Sequence, residues 1–290
     1  MSSRVPSKLS SRLLSFQSNS IANSNVLLKI FCTLVIVVLL CIAIGHYAFK
    51  NGLLTCDHYV FNTYLYIILA IMLMFLVVLL NDQYGIFQSL LIWMFSGSLV
   101  KAIILLILLF GLLFGLTYAL TKVDPKNIAL SNGIWLVLVF LFGILLIPSI
   151  FLGRMTDVVG LAGILTVVIV IVVGLLGYYL GDKIITFDWD YYLNIALLIL
   201  IAVSFIGLFL ITITTLEGII QFMYVISIIS LVIFVLLLLS NHKKLKENSE
   251  KCIDGQVVPN YPLESWNLVI KIYIIFKDLI RILAIRKLRR

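Results

Sequence analysis

Long apolar runs separated by short polar stretches dominate the chain. An α-helix needs about 20 apolar residues to cross a hydrocarbon core of roughly 30 Å. Runs of that length recur seven times, and each is predicted to be a spanning helix. They lie at 26–49, 59–80, 100–120, 128–151, 158–180, 191–210 and 218–240. Because the connections are short, consecutive helices are expected to pack as antiparallel neighbours.

The final segment has a different pattern. Its charged residues fall on one arc of a helix and its apolar residues on the opposite arc. The charged residues are Lys271, Lys277, Asp278 and Arg281. The bilayer centre costs at least ~2.5 kcal/mol per charge. We therefore expect this amphipathic helix at the membrane interface or against a partner, not across the membrane.

These patterns divide the chain into four parts. A basic, Ser-rich tail (1–25) precedes the transmembrane bundle (26–240), and a polar linker (241–264) leads to the amphipathic basic helix (265–290). The tail resembles a mitochondrial transit segment, and an ordinary positive tail before a first span fits it equally. The predicted fold is an all-α integral membrane protein, a bundle of about seven transmembrane helices plus a C-terminal amphipathic helix.

Composition supports lipid as the main solvent. Of 290 residues, 63% are hydrophobic and 12% are charged, and the mean hydropathy is +1.20. One water-soluble core cannot bury that much apolar surface. Lys and Arg (21) exceed Asp and Glu (13), but basic residues beside apolar spans set topology or meet anionic headgroups, so nucleic acid is not expected as a partner. Anionic headgroups are expected at the basic C-terminus.

Orientation follows from the same basic residues. Seven spans place the two termini on opposite sides of the membrane. The C-terminal side then collects most of the basic residues, including Lys122, Lys126, Lys183 and those from Lys243 onward. The positive-inside rule predicts that this side faces the cytosol or matrix, whereas an eighth span would return both ends to one side.

Candidate chemical groups are few. Glu217 lies near a span end, and Asp182, Asp188 and Asp190 share one connecting loop that is either solvated or attracts a cation. The four cysteines show no paired spacing, so neither a metal site nor a disulfide framework is predicted. No nucleophile, phosphate-loop or zinc-protease motif is present. We expect no enzyme activity, no cofactor and no metal.

Two glycine pairs have the spacing that lets helices approach closely. They are Gly111 with Gly115, and Gly177 with Gly181. Small residues four apart lie on one helical face. Packing within the bundle is favoured over dimerisation.

From about Pro125 onward the order of features resembles the Bax inhibitor family of multi-helix intracellular membrane proteins. The stretches that carry the resemblance are PKNIALSNGIWLVLVFLFGILLIPSIFL, GLAGILTVVIVIVVGLLGYYLGDKIITFDWDYYLNIALLIL, TLEGIIQFMYVISIISLVIFVLLLLSNHKKLKE and WNLVIKIYIIFKDLIRIL. In that order, they are similar to the family's third helix, to its fourth helix with the start of the fifth, to its sixth helix and to its last helix. The layout is most similar to the mitochondrial inner-membrane branch, which favours that membrane over the endoplasmic reticulum or Golgi.

The resemblance implies links to cell-death suppression and to a pH-sensitive calcium leak. In the family that leak depends on a proton-sharing aspartate pair, and the matching positions here are Asn241 and Ile275. Two close carboxylates cannot both ionise cheaply, which is what makes such a pair a proton sensor. Asn and Ile cannot share a proton. The family also has an acidic residue in its third helix, and the matching position here is Phe142.

Two functional hypotheses follow from different classes. One is a structural or accessory subunit of a membrane complex that has lost the aspartate pair and holds other subunits. The alternative is a calcium or proton leak channel in ion homeostasis, gated by Glu217, Asp278 or the Asp182–Asp190 loop. A dry interior favours the first hypothesis and a polar or acidic interior the second.

Overall fold

The computed structural model describes residues 49, 52–85, 99–185, 189–210 and 216–289. Seven α-helices lie within these residues, and residues 51–290 form one compact unit. In chain order they are α1 (Tyr59–Tyr84), α2 (Leu99–Lys122), α3 (Ile128–Met155), α4 (Val159–Ile184), α5 (Trp189–Leu210), α6 (Leu216–Ile253) and α7 (Tyr261–Leu288). The predicted all-α membrane fold is confirmed.

Four of the described helices are long and apolar enough to cross a membrane. They contain Tyr59–Gln83, Ile128–Met155, Val159–Ile184 and Glu217–Ile253. α2 and α5 contain shorter apolar helical stretches, Ile107–Lys122 and Tyr191–Ser204. Their crossing of the membrane stays a prediction. Of the predicted first span at 26–49, all but residue 49 lies outside the described residues.

Local sequence signals mark several helix ends. Asn127 and Asn260 each accept a hydrogen bond from the backbone N–H three residues later, at 3.3 and 3.2 Å, which satisfies a donor that the helix start leaves free. Gly85 closes α1 in the left-handed conformation with φ of 63°. A glycine adopts that conformation without steric cost.

α6 is longer than the sequence pattern predicts. The apolar run ends near Ser240, but the helix continues through the polar residues to Ile253. The predicted linker at 241–264 is therefore corrected: most of it is helical, and only residues 254–260 connect α6 to α7. At 1.5 Å per residue the 38 residues of α6 extend about 57 Å, well beyond a hydrocarbon core of about 30 Å.

α7 occupies the centre of the bundle, which corrects its predicted place at the interface. It packs against α1, α3, α4 and α6, and its most buried residues are fully enclosed. These are Trp266, Leu268, Val269, Ile275, Ile280 and Ala284. Surrounding helices shield it from lipid, so the cost of placing charges in the bilayer, which argued against this position, does not apply in full.

Contacts at both ends of α7 define its direction. Near its start Ser131 Oγ lies 3.4 Å from Asn260 Oδ1, and near its end Lys287 Nζ lies 3.8 Å from Asp157 Oδ2. Ser131 is at the beginning of α3 and Asp157 just follows its end. α7 therefore runs parallel to α3 over its whole depth.

The direction of α7 also overturns the orientation argument. Its tail lies at the end of the bundle opposite Lys122, Lys126, Lys183 and Lys243. The basic residues are thus shared between the two ends, and the positive-inside rule no longer selects one. The end that holds the start of α1, the end of α6 and the start of α7 is called the α6–α7 end below.

The expectation of no disulfide is wrong. Cys56, just before α1, is bonded to Cys252, in the last turn of α6, across a sequence separation of 196 residues. The bond lies at the α6–α7 end. Cys32 and Cys41 lie outside the described residues.

Candidate functional site

A charged cluster surrounds a buried carboxylate between α6 and α7. We call it the α7 charge cluster: Lys277, Asp278 and Arg281 with Ser227 and Ser230 of α6. Asp278 is only 1% exposed. Its Oδ1 lies 3.9 Å from Arg281 Nη1, and the same Nη1 donates to Ser227 Oγ at 3.3 Å. The Ser230 hydroxyl lies beside the Asp278 carboxylate and favours its charged form.

Helical spacing explains how the cluster assembles. Residues three apart share a helical face. Asp278 and Arg281 on α7 are matched by Ser230 and Ser227 on α6, which runs antiparallel to it. The basic neighbours and hydroxyls offset the cost of burying the carboxylate. Asp278 Oδ2 has no hydrogen-bond partner in the part of the chain that the structure describes.

The two positions predicted to match the family's aspartate pair do not meet. Asn241 donates from Nδ2 to the backbone oxygen of Asn267 at 3.2 Å. Ile275 is completely buried, but it lies eight residues further along α7 than Asn267, or about 12 Å at 1.5 Å per residue. Neither position carries a carboxylate, and the two are on different levels of the bundle.

The other predicted ion-contact residues lie at the surface. Asp182 is exposed at the end of α4, where its Oδ2 lies 3.0 Å from Lys246 Nζ and its Oδ1 3.8 Å from Lys243 Nζ. Glu217 is exposed in the first turn of α6. Asp188 lies outside the described residues, and only the helical backbone of Asp190 is described. Within the described residues no group of three His, Cys, Asp or Glu is placed to hold a metal ion.

A second buried polar contact joins α1 to α6. His242 is 2% exposed, and its Nε2 lies 2.6 Å from the Tyr64 hydroxyl. Its Nδ1 lies 2.8 Å from the backbone oxygen of Leu238. No motif in the sequence marks His242 as functional. Tyr64 carries no signal either, because it lies within a predicted span among other apolar residues.

The two glycine pairs differ in their surroundings. A Cβ added at Gly177 would lie 2.7 Å from both His242 Cβ and Leu239 O, and one at Gly181 would lie 3.0 Å from Lys243 Cβ. α4 therefore packs closely on α6 through this pair. Gly111 and Gly115 on α2 have no neighbouring atom within 4 Å among the described residues. Their role in helix packing stays a prediction.

Polar side chains also form a network at the α6–α7 end. Tyr261 is 2% exposed; its hydroxyl donates to the backbone oxygen of Thr55 and accepts from Asn62 Nδ2 at 3.2 Å. Asn248 Nδ2 donates to Glu264 Oε1 at 2.7 Å. Two buried atoms nearby, Asn62 Oδ1 and Trp135 Nε1, have no partner within the described ranges. No motif or spacing in the sequence marks these residues as a network.

Comparison with known families decides the family of the chain. The family model described as Inhibitor of apoptosis-promoting Bax1 matches residues 56–287, more than three quarters of the 290 residues. The chain belongs to the Bax inhibitor family. No individual curated protein matches it.

The family match is longer than the resemblance in the sequence. The resemblance begins at about Pro125, whereas the match begins at Cys56 and includes α1 and α2. All seven described helices are therefore Bax inhibitor family helices. The basic tail and the predicted span at 26–49 precede the matched region.

Proposed function

We propose that this member of the Bax inhibitor family is a non-enzymatic structural or accessory subunit of a membrane complex. The observation that supports this proposal most directly is the set of charged groups around the buried Asp278 carboxylate. Asp278 has Arg281 and Lys277 as its charged neighbours, and the aspartate-pair positions hold Asn241 and Ile275. A proton-sharing pair needs a second acid close by, and the described residues place none beside Asp278.

The outer surface is consistent with this role. Large apolar side chains on α2, α4 and α5 point away from the bundle, among them Tyr118 (65% exposed), Ile164 (65%) and Leu198 (67%). In a bilayer such faces contact lipid or other membrane proteins. The basic tail after Leu288 supports contact with anionic headgroups, and the basic N-terminus supports the mitochondrial inner membrane as its location.

Native-gel separation tests the accessory role. Membranes that contain the chain are extracted in mild detergent, and proteins that co-migrate with it are identified by mass spectrometry. We expect stoichiometric migration with one large complex. Migration of an intact chain by itself would contradict the proposal.

The leak channel is the second candidate, and the α7 charge cluster is the observation that favours it. Asp278 lies inside the bundle with one oxygen unpartnered within the described residues, and polar groups in a pore interior are what conduction requires. Liposomes that contain the chain and a calcium- or proton-sensitive dye test this candidate. A leak that Asp278→Asn abolishes and Glu217→Gln retains would favour the channel, since both changes remove one negative charge but only Asp278 is buried.

A further inference from the structure

We propose that the Cys56–Cys252 disulfide is a redox-controlled clamp that holds residues 52–58 over the polar network at the α6–α7 end. We call residues 52–58 the strap. The proposal concerns control of the bundle and is independent of the accessory or leak function. Since such bonds persist in oxidising compartments, the α6–α7 end then faces one.

Most of the strap lies at the surface. Gly52, Leu53, Leu54, Asp57 and His58 are exposed, and only Thr55 is fully buried. The hydrogen bonds that tie the strap to the helices include Tyr261 to Thr55 O, Asn62 Nδ2 to Asp57 O at 3.1 Å, and the Asn62 backbone N–H to His58 O at 2.9 Å. A segment that buries so little of its surface opens more readily than the core unless a covalent bond retains it.

The strap covers groups that gain from contact with water. Tyr261 and Asn62 lie directly beneath it, at 2% and 0% exposure. Asn62 Oδ1 has no hydrogen-bond partner among the described residues, and burying such an acceptor costs free energy. Release of the strap hydrates these groups and loosens the starts of α1 and α7.

The chemistry is thiol–disulfide exchange. Closing the clamp forms the Sγ–Sγ bond; the two thiols lose two protons and two electrons to a disulfide oxidant, which is reduced to two thiols. Opening by a dithiol reverses this, and the dithiol becomes a cyclic disulfide. Cys252 is 2% exposed while Cys56 is partly exposed, so an attacking thiolate reaches Cys56 Sγ and Cys252 leaves.

The first test measures the redox state in native membranes. Cys32→Ser with Cys41→Ser leaves the clamp as the two remaining cysteines of the four in the chain. Free thiols are blocked, the protein is denatured and reduced, and a maleimide of high mass is added. We expect two adducts that require the reduction step. Blocking of both thiols before reduction would overturn the proposal.

The second test measures opening. Hydrogen exchange of the full chain in detergent is compared before and after dithiol treatment. We expect amides of the strap, 59–66 and 261–268 to exchange at least about tenfold faster after reduction, and amides of 146–155 at the opposite end to be unchanged. The Cys56→Ser, Cys252→Ser chain should exchange like reduced protein without treatment, and the Cys32→Ser, Cys41→Ser chain should match wild type. Unchanged exchange on reduction would overturn the clamp.

Discussion

Gly177 is a point of very close approach between α4 and α6. A Cβ there would lie 2.7 Å from the backbone oxygen of Leu239, and backbone cannot rotate away as a side chain can. We expect Gly177→Val to reduce the free energy of unfolding by about 1–3 kcal/mol, as overpacking of a tight core does. Denaturation in detergent, followed by circular dichroism, measures the change.

Gly163 provides the matched control on the same helix. A Cβ there meets no atom within 4 Å among the described residues. Gly163→Val should therefore stay within about 0.5 kcal/mol of wild type. Equal effects at both positions would show that helix propensity, and not contact with α6, determines the result.

Arg281 and Asp278 are expected to depend on each other. Arg281→Met leaves the Asp278 carboxylate buried without its ion-paired arginine, which should cost about 3 kcal/mol. This is the low end of the range for a broken buried ion pair, because the Arg281 side chain is 27% exposed.

The double variant identifies the coupling. Asp278→Asn with Arg281→Met removes both charges and should be more stable than Arg281→Met alone. A coupling energy above about 1 kcal/mol in this double-mutant cycle would support a direct interaction. Strict additivity would mean that the pair contributes nothing to the fold.

At the scale of the element, α6 shows that the end of an apolar run is not always the end of the helix. Hydropathy drops after Ser240, and the apolar pattern predicts the end of the helix there. The drop marks where the apolar face ends, while residues 241–253 are rich in Lys and Glu, which are good helix formers. The location of the apolar run was predictable from the sequence. The contacts that the continuation makes, with Glu264 through Asn248 and with Cys56 through Cys252, were not, because these partners belong to other segments.

Continuity of this helical extension places Cys252 beside Cys56. Glu250→Pro should break the helix, at a cost of about 3 kcal/mol, and move Cys252 away from its partner. In the Cys32→Ser, Cys41→Ser background we expect the disulfide-bonded fraction on a non-reducing gel to fall sharply. Val257→Pro, at an exposed position between α6 and α7, is the control that should leave this fraction unchanged.

α7 was placed wrongly for a related reason. Its charges lie on one arc, and a single helix cannot indicate whether water, lipid or another helix faces that arc. Ser227 and Ser230 of α6 face Asp278 and Arg281, so the compensation becomes visible only when both helices are known. The sequence predicted the helix, but its position depends on pairs of residues about 50 positions apart.

At the scale of the whole molecule, composition and periodicity predicted the all-α membrane fold and most helices. The disulfide was not predictable, because cysteines 196 residues apart carry no spacing signal. The polar network was equally hidden, since Asn62 and Tyr261 meet only after the bundle has formed.

Truncation tests the central place of α7. A chain that ends at Glu264 lacks the side chains that fill the space between α1, α3 and α6. We expect it to aggregate on size-exclusion chromatography in detergent, whereas a chain that ends at Arg286 should elute as wild type does. A symmetrical peak from the shorter chain would show that the other helices form a bundle by themselves.

The central position of α7 also has a consequence for biosynthesis. Translation makes α7 after the four helices that it packs against, α1, α3, α4 and α6. Until α7 arrives, the inward faces of α1, α3 and α6 enter the membrane without the helix that they enclose. The nascent chain therefore passes through a stage in which its future interior is open to lipid and to insertion chaperones, and assembly finishes at the centre of the bundle.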